Sequence, residues 1–294
     1  MVNIPDMAII GAGRVGTAIG VLARRAGLTV SAVAGGGGAK AAADAIGGAI
    51  RVCSPADAAR TAGLVLLTVR DDVIEAVCQD LVDANAIRPG AVVAHCSGAL
   101  PSEILAPARS ACKAVIASFH PLQTFPTVTA AIEKLPGSYC FCEGDKEAVD
   151  VVAALAERIG AKPVRIQASG KALYHAAAVV ACNYLAALVD AAAVLCENAG
   201  LDRATALSAL GSIVTATADN VTRLGPEEAL TGPIDRGDVG TVRRHMRALT
   251  GVDARLKALY KAAGEWTVAL ALRKKTIGAD TAEQLRRALN ETNV

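Results

Sequence analysis

The first stretch of this chain with residue types and spacing suited to chemistry is Gly11-Ala12-Gly13-Arg14-Val15-Gly16. It follows a short apolar run at 7–10 and opens a helix-like pattern. At such a junction the first glycine of GxGxxG permits a tight turn. The second lets a pyrophosphate approach the backbone, and the third lets the helix pack on the strand. The helix N-terminus adds free N–H groups and a partial positive charge. Gly11, Ala12, Gly13, Arg14, Val15 and Gly16 are therefore expected to hold a dinucleotide. The next strand candidate, 29–34, runs into Gly35, Gly36, Gly37 and Gly38. It lacks the terminal carboxylate that an NAD site uses for the ribose hydroxyls. With nothing there to repel a 2′-phosphate, and with Arg14, Lys40 and the glycine amides at hand, NADP is the expected cofactor and NAD the alternative. A solvated first-turn lysine is the plainer reading of Lys40.

Hydride transfer to a carbonyl or imine also needs a proton donor and groups that orient the substrate. In an open parallel sheet these gather beyond the carboxyl ends of the strands. Arg70, Asp71 and Asp72 follow the strand candidate that ends at Val69, His95-Cys96-Ser97 the next, and His120 the one after. Pro121 keeps the backbone of His120 extended. Arg70 is expected near the cofactor, to bind a phosphate or a substrate carboxylate; a loop arginine paired with Asp71 or Asp72 is the alternative. Lys171 and His175 share a helix face at i, i+4, and Cys182 and Asn183 lie further along that helix. Thr231 and Arg236 sit in a Gly- and Pro-rich loop, where Arg236 is either an anion partner or clamped to Asp238.

The elements that must position these residues alternate through the first half. Strand candidates are 7–10, 29–34, 63–69, 91–94, 114–118, 138–142 and 163–166. Helical runs such as 15–26, 71–83 and 145–159 separate most of them. This alternation predicts a mainly parallel, doubly wound sheet of the Rossmann kind. The unalternating run Leu64-Val65-Leu66-Leu67 suits a strand covered on both faces. Beyond about residue 168 the strand signals stop, and helices are expected over 169–199, 202–224, 239–250, 253–273 and 281–290. The expected domains are 1–167, binding dinucleotide, and 168–294, all helical, for substrate and dimerisation.

With 53% hydrophobic and 20% charged residues over 294 positions, the chain has ample material for cores. A net charge of +2 and 3% aromatics argue against nucleic-acid and membrane-surface partners. The eight cysteines form no CxxC pair, and the near pair Cys140 and Cys142 has no suitably spaced completion. Reduced thiols in a cytoplasmic protein, and no metal site, are expected. The N-terminus runs straight into a strand, so no secretory signal is expected. The apolar stretch 172–196 contains His175, Asn183 and Asp190, and is expected to be a helix buried between helices rather than a membrane span.

Four segments carry a resemblance: His95-Cys96-Ser97-Gly98-Ala99-Leu100, Ser118-Phe119-His120-Pro121-Leu122-Gln123-Thr124-Phe125, Lys171-Ala172-Leu173-Tyr174-His175-Ala176-Ala177-Ala178, and Thr231-Gly232-Pro233-Ile234-Asp235-Arg236-Gly237-Asp238. Together they resemble the Rossmann-like proteins carrying the domain of unknown function 2520. That group is similar to the wider 6-phosphogluconate dehydrogenase-like superfamily, with its ketopantoate reductases, β-hydroxyacid dehydrogenases, pyrroline-carboxylate reductases and prephenate dehydrogenases. The resemblance implies an all-α second domain that forms a homodimer. It also implies that Ser97 and His120 stand where prephenate dehydrogenase-like enzymes place a serine and a His-Pro histidine. Lys171 resembles the proton-donating lysine of a Lys-x-x-x-Asn pair, with His175 replacing the asparagine. Two departures stand out: glycines replace the usual Ser-Arg-Ser phosphate reader, and Val69-Arg70-Asp71 replaces Val-Pro-Asp.

The expected catalytic residues are thus Lys171, His120 and His175, with Ser97, Asn183, Thr231 and Arg236 binding substrate. Gly11 through Gly16, Gly35, Lys40, Val69 and Arg70 are expected to bind cofactor. The expected activity is NADP(H)-dependent hydride transfer to or from a small, anionic 2-oxo or hydroxy acid. The alternatives are an imine reductase of the pyrroline-carboxylate type and an NADP-binding regulatory protein without turnover.

Overall fold

A computed structural model describes residues 2–291. The chain divides into two compact units, with the division between Val180 and Ala181. The first unit therefore runs past the expected boundary at 167.

The first unit alternates β1 (Met7–Ile10), α1 (Arg14–Arg25), β2 (Val30–Ala34), α2 (Ala39–Ile46), β3 (Arg51–Val52), α3 (Pro55–Arg60), β4 (Leu64–Leu67), α4 (Ile74–Asp83), β5 (Val92–His95), α5 (Ala106–Cys112), β6 (Val115–Leu122), α6 (Val128–Lys134), β7 (Tyr139–Gly144), α7 (Lys146–Arg158) and β8 (Lys162–Arg165), and closes with all but the last residue of α8 (Lys171–Ala181). The strands form one sheet of order β3-β2-β1-β4-β5-β6-β7-β8. All pairings are parallel except β6 with β7, which run antiparallel. The continuous apolar strands follow from helices on both faces. Met7, Ile9, Leu64 and Leu66 enter one buried cluster; Ala8, Ile10, Val65 and Leu67 enter the other. Each large side chain so buried stabilises the fold by about 1.5–3 kcal/mol.

The second unit contains α9 (Asn183–Asn198), α10 (Arg203–Leu224), α11 (Pro226–Ala229), α12 (Val239–Ala248), α13 (Ala254–Lys274) and α14 (Ala279–Asn290). Asp202 and Asp238 cap α10 and α12 by accepting the backbone N–H of Thr205 (3.0 Å) and Thr241 (2.9 Å). Val242, Met246, Val268, Leu285 and Leu289 form its core, contributed by α12, α13 and α14. Gly264 on α13 permits this packing, because a Cβ there would stand 2.7 Å from Leu289 Cδ2.

Several expectations change. The helix expected over 169–199 begins as a 3-10 turn, Ala168–Gly170, and is interrupted at Cys182 (φ −116°, ψ −66°). Its apolar stretch is not buried within this chain: Ala168–Asn198 is long and apolar enough to cross a membrane by length and composition, yet only 6% of its most apolar window is buried. The helix expected over 71–83 also starts as a 3-10 turn, Asp71–Val73. Short elements α2, α3, β3, α5, α6 and α11 were not expected; few of them carry enough residues for a hydrophobic period to show.

Candidate active site

The glycines of the first turn have separate physical tasks. Gly11 has φ +116°, and a Cβ on it would lie 2.5 Å from the Thr68 carbonyl carbon. A Cβ on Gly16 would lie 2.3 Å from Thr68 Oγ1 and 2.4 Å from the Gly11 carbonyl oxygen. The Thr68 hydroxyl donates to that same carbonyl at 2.6 Å, tying the end of β4 to the turn. Gly13 instead faces open space, with no atom within 4 Å of a Cβ built on it. Among the described residues no side chain caps α1, which leaves its first N–H groups free to meet an anion. These are the features a dinucleotide requires.

Gly11, Ala12, Gly13 and the four glycines 35–38 line an open cleft of about 380 Å³ together with Thr68, Val69, Arg70 and Val73. Arg70 is exposed and ion-paired with Asp72, the plainer of its two expected arrangements. Lys40 does not line this cleft and pairs with Asp44 on α2. The Arg14 guanidinium reaches the Phe125 carbonyl at 3.3 Å. Val15 packs its side chain against the core.

The adjacent strand ends carry the polar groups. Ser97 follows β5 and donates to Asp71 Oδ2 at 2.7 Å while accepting from the N–H groups of Ala99 (3.2 Å) and Leu100 (3.0 Å). Its hydroxyl, expected to meet substrate, holds this turn and ties it to the residues after β4. His95 Nδ1 accepts the Ser97 N–H (3.1 Å), so the proton sits on Nε2, facing the Pro101 carbonyl at 3.3 Å. Burial, reinforced by the Lys171 charge, holds the His95 imidazole down at about 3.

Lys171, the first residue of α8, is 1% exposed. Its ammonium donates to the Ser118 hydroxyl and stands 3.5 Å from Glu143 Oε1. Antiparallel register places Ser118 and Glu143 directly opposite each other on β6 and β7. Glu143 also accepts from the Ser102 N–H and hydroxyl, both at 2.7 Å, so its oxygens are satisfied in a dry place. Burial lowers the Lys171 pKa from its ordinary value, against the raising effect of the Glu143 charge.

His120 projects from β6 beside this pair. Its Nδ1 shares a hydrogen bond of 2.8 Å with the Tyr174 hydroxyl, and its ring meets the His175 ring edge-on at 5.9 Å. Burial first, then the charges of Lys171 and His175, hold the His120 imidazole down at about 4, so it is neutral at pH 7. Gly98 fits between the two rings: a Cβ there would lie 2.4 Å from His175 Cδ2 and 2.8 Å from His120 Nε2. The first unit thus brings Ser97, His120, Lys171 and His175 together.

Asn183, Thr231 and Arg236 belong to the second unit, and all three are exposed. Gly232 has φ +100°, and the Arg236 N–H closes that turn on the Gly232 carbonyl at 3.2 Å. The Asp238 oxygens take the Thr241 N–H and hydroxyl, so Arg236 acts on Asp238 by charge rather than by a clamp.

Sequence reasoning did not single out Glu143, Ser118 or Tyr174. A signal for Glu143 existed: it is a carboxylate in the otherwise apolar run Tyr139-Cys140-Phe141-Cys142. Its partner could not be read, because the β6–β7 pairing is antiparallel within a mainly parallel sheet.

Residues 4–121 match the Rossmann-like domain, and residues 138–267 match the domain of unknown function DUF2520. A comparison with curated protein sequences finds no match. A solved structure of a Thermotoga maritima protein is 25% identical, covering 92% of this chain and 99% of its own, with a TM-score of 0.75. A provisionally designated NADP oxidoreductase of Bacteroides fragilis is 20% identical, covering 94% and 99%, with a TM-score of 0.67. Plasmodium falciparum pyrroline carboxylate reductase, solved with NADP bound, is 14% identical, covering 98% and 99%, with a TM-score of 0.54. The chain is a Rossmann-like protein carrying the domain of unknown function DUF2520.

Proposed function

We propose that this protein is an NADP(H)-dependent oxidoreductase that moves hydride to or from a small anionic carbonyl compound, of the 2-oxo or 2-hydroxy acid class. The observation that carries the reading is the continuity of the two halves of the site. The Asp71–Ser97 hydrogen bond joins the residues after β4, which edge the glycine cleft, to the turn that supports His120 and Lys171. A purely structural glycine turn gives no reason for a buried lysine, a buried glutamate and two facing histidines at the neighbouring strand ends.

Bound NADPH supplies the hydride. The chain supplies orientation and the proton side. Lys171, closed off from solvent, acts through Ser118, which accepts from its ammonium and faces the Ser97 carbonyl at 3.4 Å. Lys171 is on this reading a positioning residue for the Ser97–Gly98 turn. His120, neutral and engaged with the Tyr174 hydroxyl through Nδ1, presents Nε2 beside Gly98, where its N–H bonds the oxygen on which charge develops and passes it the proton that completes the alcohol, water restoring the proton to the ring. His175 forms the opposite wall.

Reduction of an imine is the second reading. Neutral His120 favours it, since an iminium substrate arrives with its own proton. The two readings separate on one variant: His120→Gln lowers kcat about a hundredfold or more on a carbonyl substrate and has little effect on an imine. The founding experiment titrates NADPH and NADH, then screens carbonyl and imine panels for NADPH oxidation. Tight NADPH binding with no turnover on either panel would leave the regulatory reading standing.

We extend the proposal to a homodimer in the cytoplasm with neither membrane nor nucleic acid as partner; the apolar helices of the second unit bear on the dimer alone. Leu185, Leu188, Leu207, Ile213 and Trp266 are exposed in the single chain, Ile213 by 62% and Trp266 by 73%, and a second copy would cover them.

A further inference from the structure

Cofactor selectivity poses a specific problem here. In the proposed NADP reading, on which this inference rests, something must recognise a 2′-phosphate. The strand end where that reader is expected offers only Gly35, Gly36, Gly37 and Gly38. Gly36 and Gly37 face open space, and none of the four brings a side-chain cation. Lys40 is tied to Asp44 and lies outside the cleft. Arg14 is turned toward the Phe125 carbonyl.

Arg70 lines the same cleft as the four glycines, from the loop after β4 on the neighbouring side of β1. We infer that Arg70 is the residue that selects NADP over NAD, reading the 2′-phosphate across the glycine-lined cleft in exchange for its ion pair with Asp72. The exchange is easy because the pair is open to water on both sides, with side chains 81% and 59% exposed; such pairs hold weakly and are screened by salt. A guanidinium matches a phosphate dianion in two parallel hydrogen bonds, a geometry a lysine cannot reproduce. The glycines then have a task beyond turning the chain: they leave the space across from Arg70 free of side chains.

The inference assigns Asp72 a role of opposite sign. It competes with the phosphate for Arg70 and adds a negative charge beside it, so its removal strengthens NADPH binding.

The experiment is a fluorescence or calorimetric titration of the whole protein with NADPH, NADH, 2′,5′-ADP and 5′-AMP. Four proteins are compared: wild type, Arg70→Ala, Asp72→Ala and Lys40→Ala. Arg70→Ala is expected to weaken NADPH and 2′,5′-ADP by about ten- to a hundredfold while NADH and 5′-AMP stay within about twofold. Asp72→Ala is expected to shift the NADPH-to-NADH ratio the other way, and Lys40→Ala to leave it unchanged. An Arg70→Ala protein that keeps the wild-type ratio overturns the inference, as does a wild type that binds both dinucleotides equally. Loss of the ratio in Lys40→Ala with Arg70→Ala unchanged gives the reader's place to Lys40 instead. Failure of the wild type to bind any of the four ligands is a separate result: it removes the proposed function itself. Near-ultraviolet circular dichroism of each variant separates lost recognition from lost fold, and the opposite signs expected for Arg70→Ala and Asp72→Ala cannot both arise from unfolding.

Discussion

Lys171 and Glu143 face each other at 3.5 Å with both side chains only 2% exposed. Two charges out of water stabilise little as a pair, but either left alone is costly. Glu143→Gln and Lys171→Met are each expected to destabilise the first unit by about 3–5 kcal/mol. The double variant should cost clearly less than their sum, read by urea denaturation. Full additivity would show that the two side chains do not share one site. The histidines give a second prediction. His95 and His120 are held near 3 and 4 in the fold, against about 6.5 in an unfolded chain. Below pH 6.5 the unfolded state binds protons first, so stability is complete above that pH and is lost as pH falls through 6.5 toward 4. For His120 the full effect is on the order of 3 kcal/mol. Stability measured at pH 7 and pH 5 should fall less in His120→Gln than in the wild type; parallel losses would remove the histidine as the cause.

At the scale of elements, α1 and β4 are joined through glycine. A methyl group on Gly16 meets Thr68 Oγ1 and the Gly11 carbonyl at 2.3 and 2.4 Å, and one of these is backbone that has no room to yield. A methyl on Gly13 meets nothing within 4 Å, and its backbone, φ −87°, suits any residue. Gly16→Ala is therefore expected to lower stability by about 1–3 kcal/mol. Gly13→Ala should melt like wild type and yet bind NADPH poorly, because the added carbon fills the space a pyrophosphate needs. Thermal melts and NADPH titrations run on both proteins check this; a Gly13→Ala protein with wild-type affinity would mean the dinucleotide does not sit on this turn. Seven of the eight strands were readable from their apolar runs, β3 being too short to show one, and most of the long helices from their period. The interruption at Cys182 was not, because the residues on either side remain equally apolar and helix-forming. The two ends of that segment are in different units, a fact about packing that no local pattern carries.

For the molecule as a whole, the exposed apolar faces decide the prediction. α9 and α10 bury only Ala193 and Ala206 fully, while Leu185, Leu188, Leu207 and Ile213 remain exposed. Size-exclusion chromatography with light scattering should give a dimer at micromolar concentration, and Ile213→Glu should shift it toward monomer. A monomeric wild type that co-sediments with lipid vesicles would give those faces to a membrane instead.

The sequence by itself determined the glycine turn, the mainly parallel sheet implied by alternation, and the places of Ser97 and His120 at strand ends. All of these are local: a glycine spacing, an apolar run, a polar residue at a strand end. Only the tertiary structure decided that Lys171 is sealed off and paired with Glu143, that the Ser97 hydroxyl is engaged by Asp71 and its own turn, and that Arg70 lines the same cleft as the glycines. Those facts depend on which strands lie side by side, and on the one antiparallel pairing that sets Ser118 against Glu143. Contacts between residues far apart in the chain are set by the packing of whole elements, and they leave no period in the sequence from which they could be read.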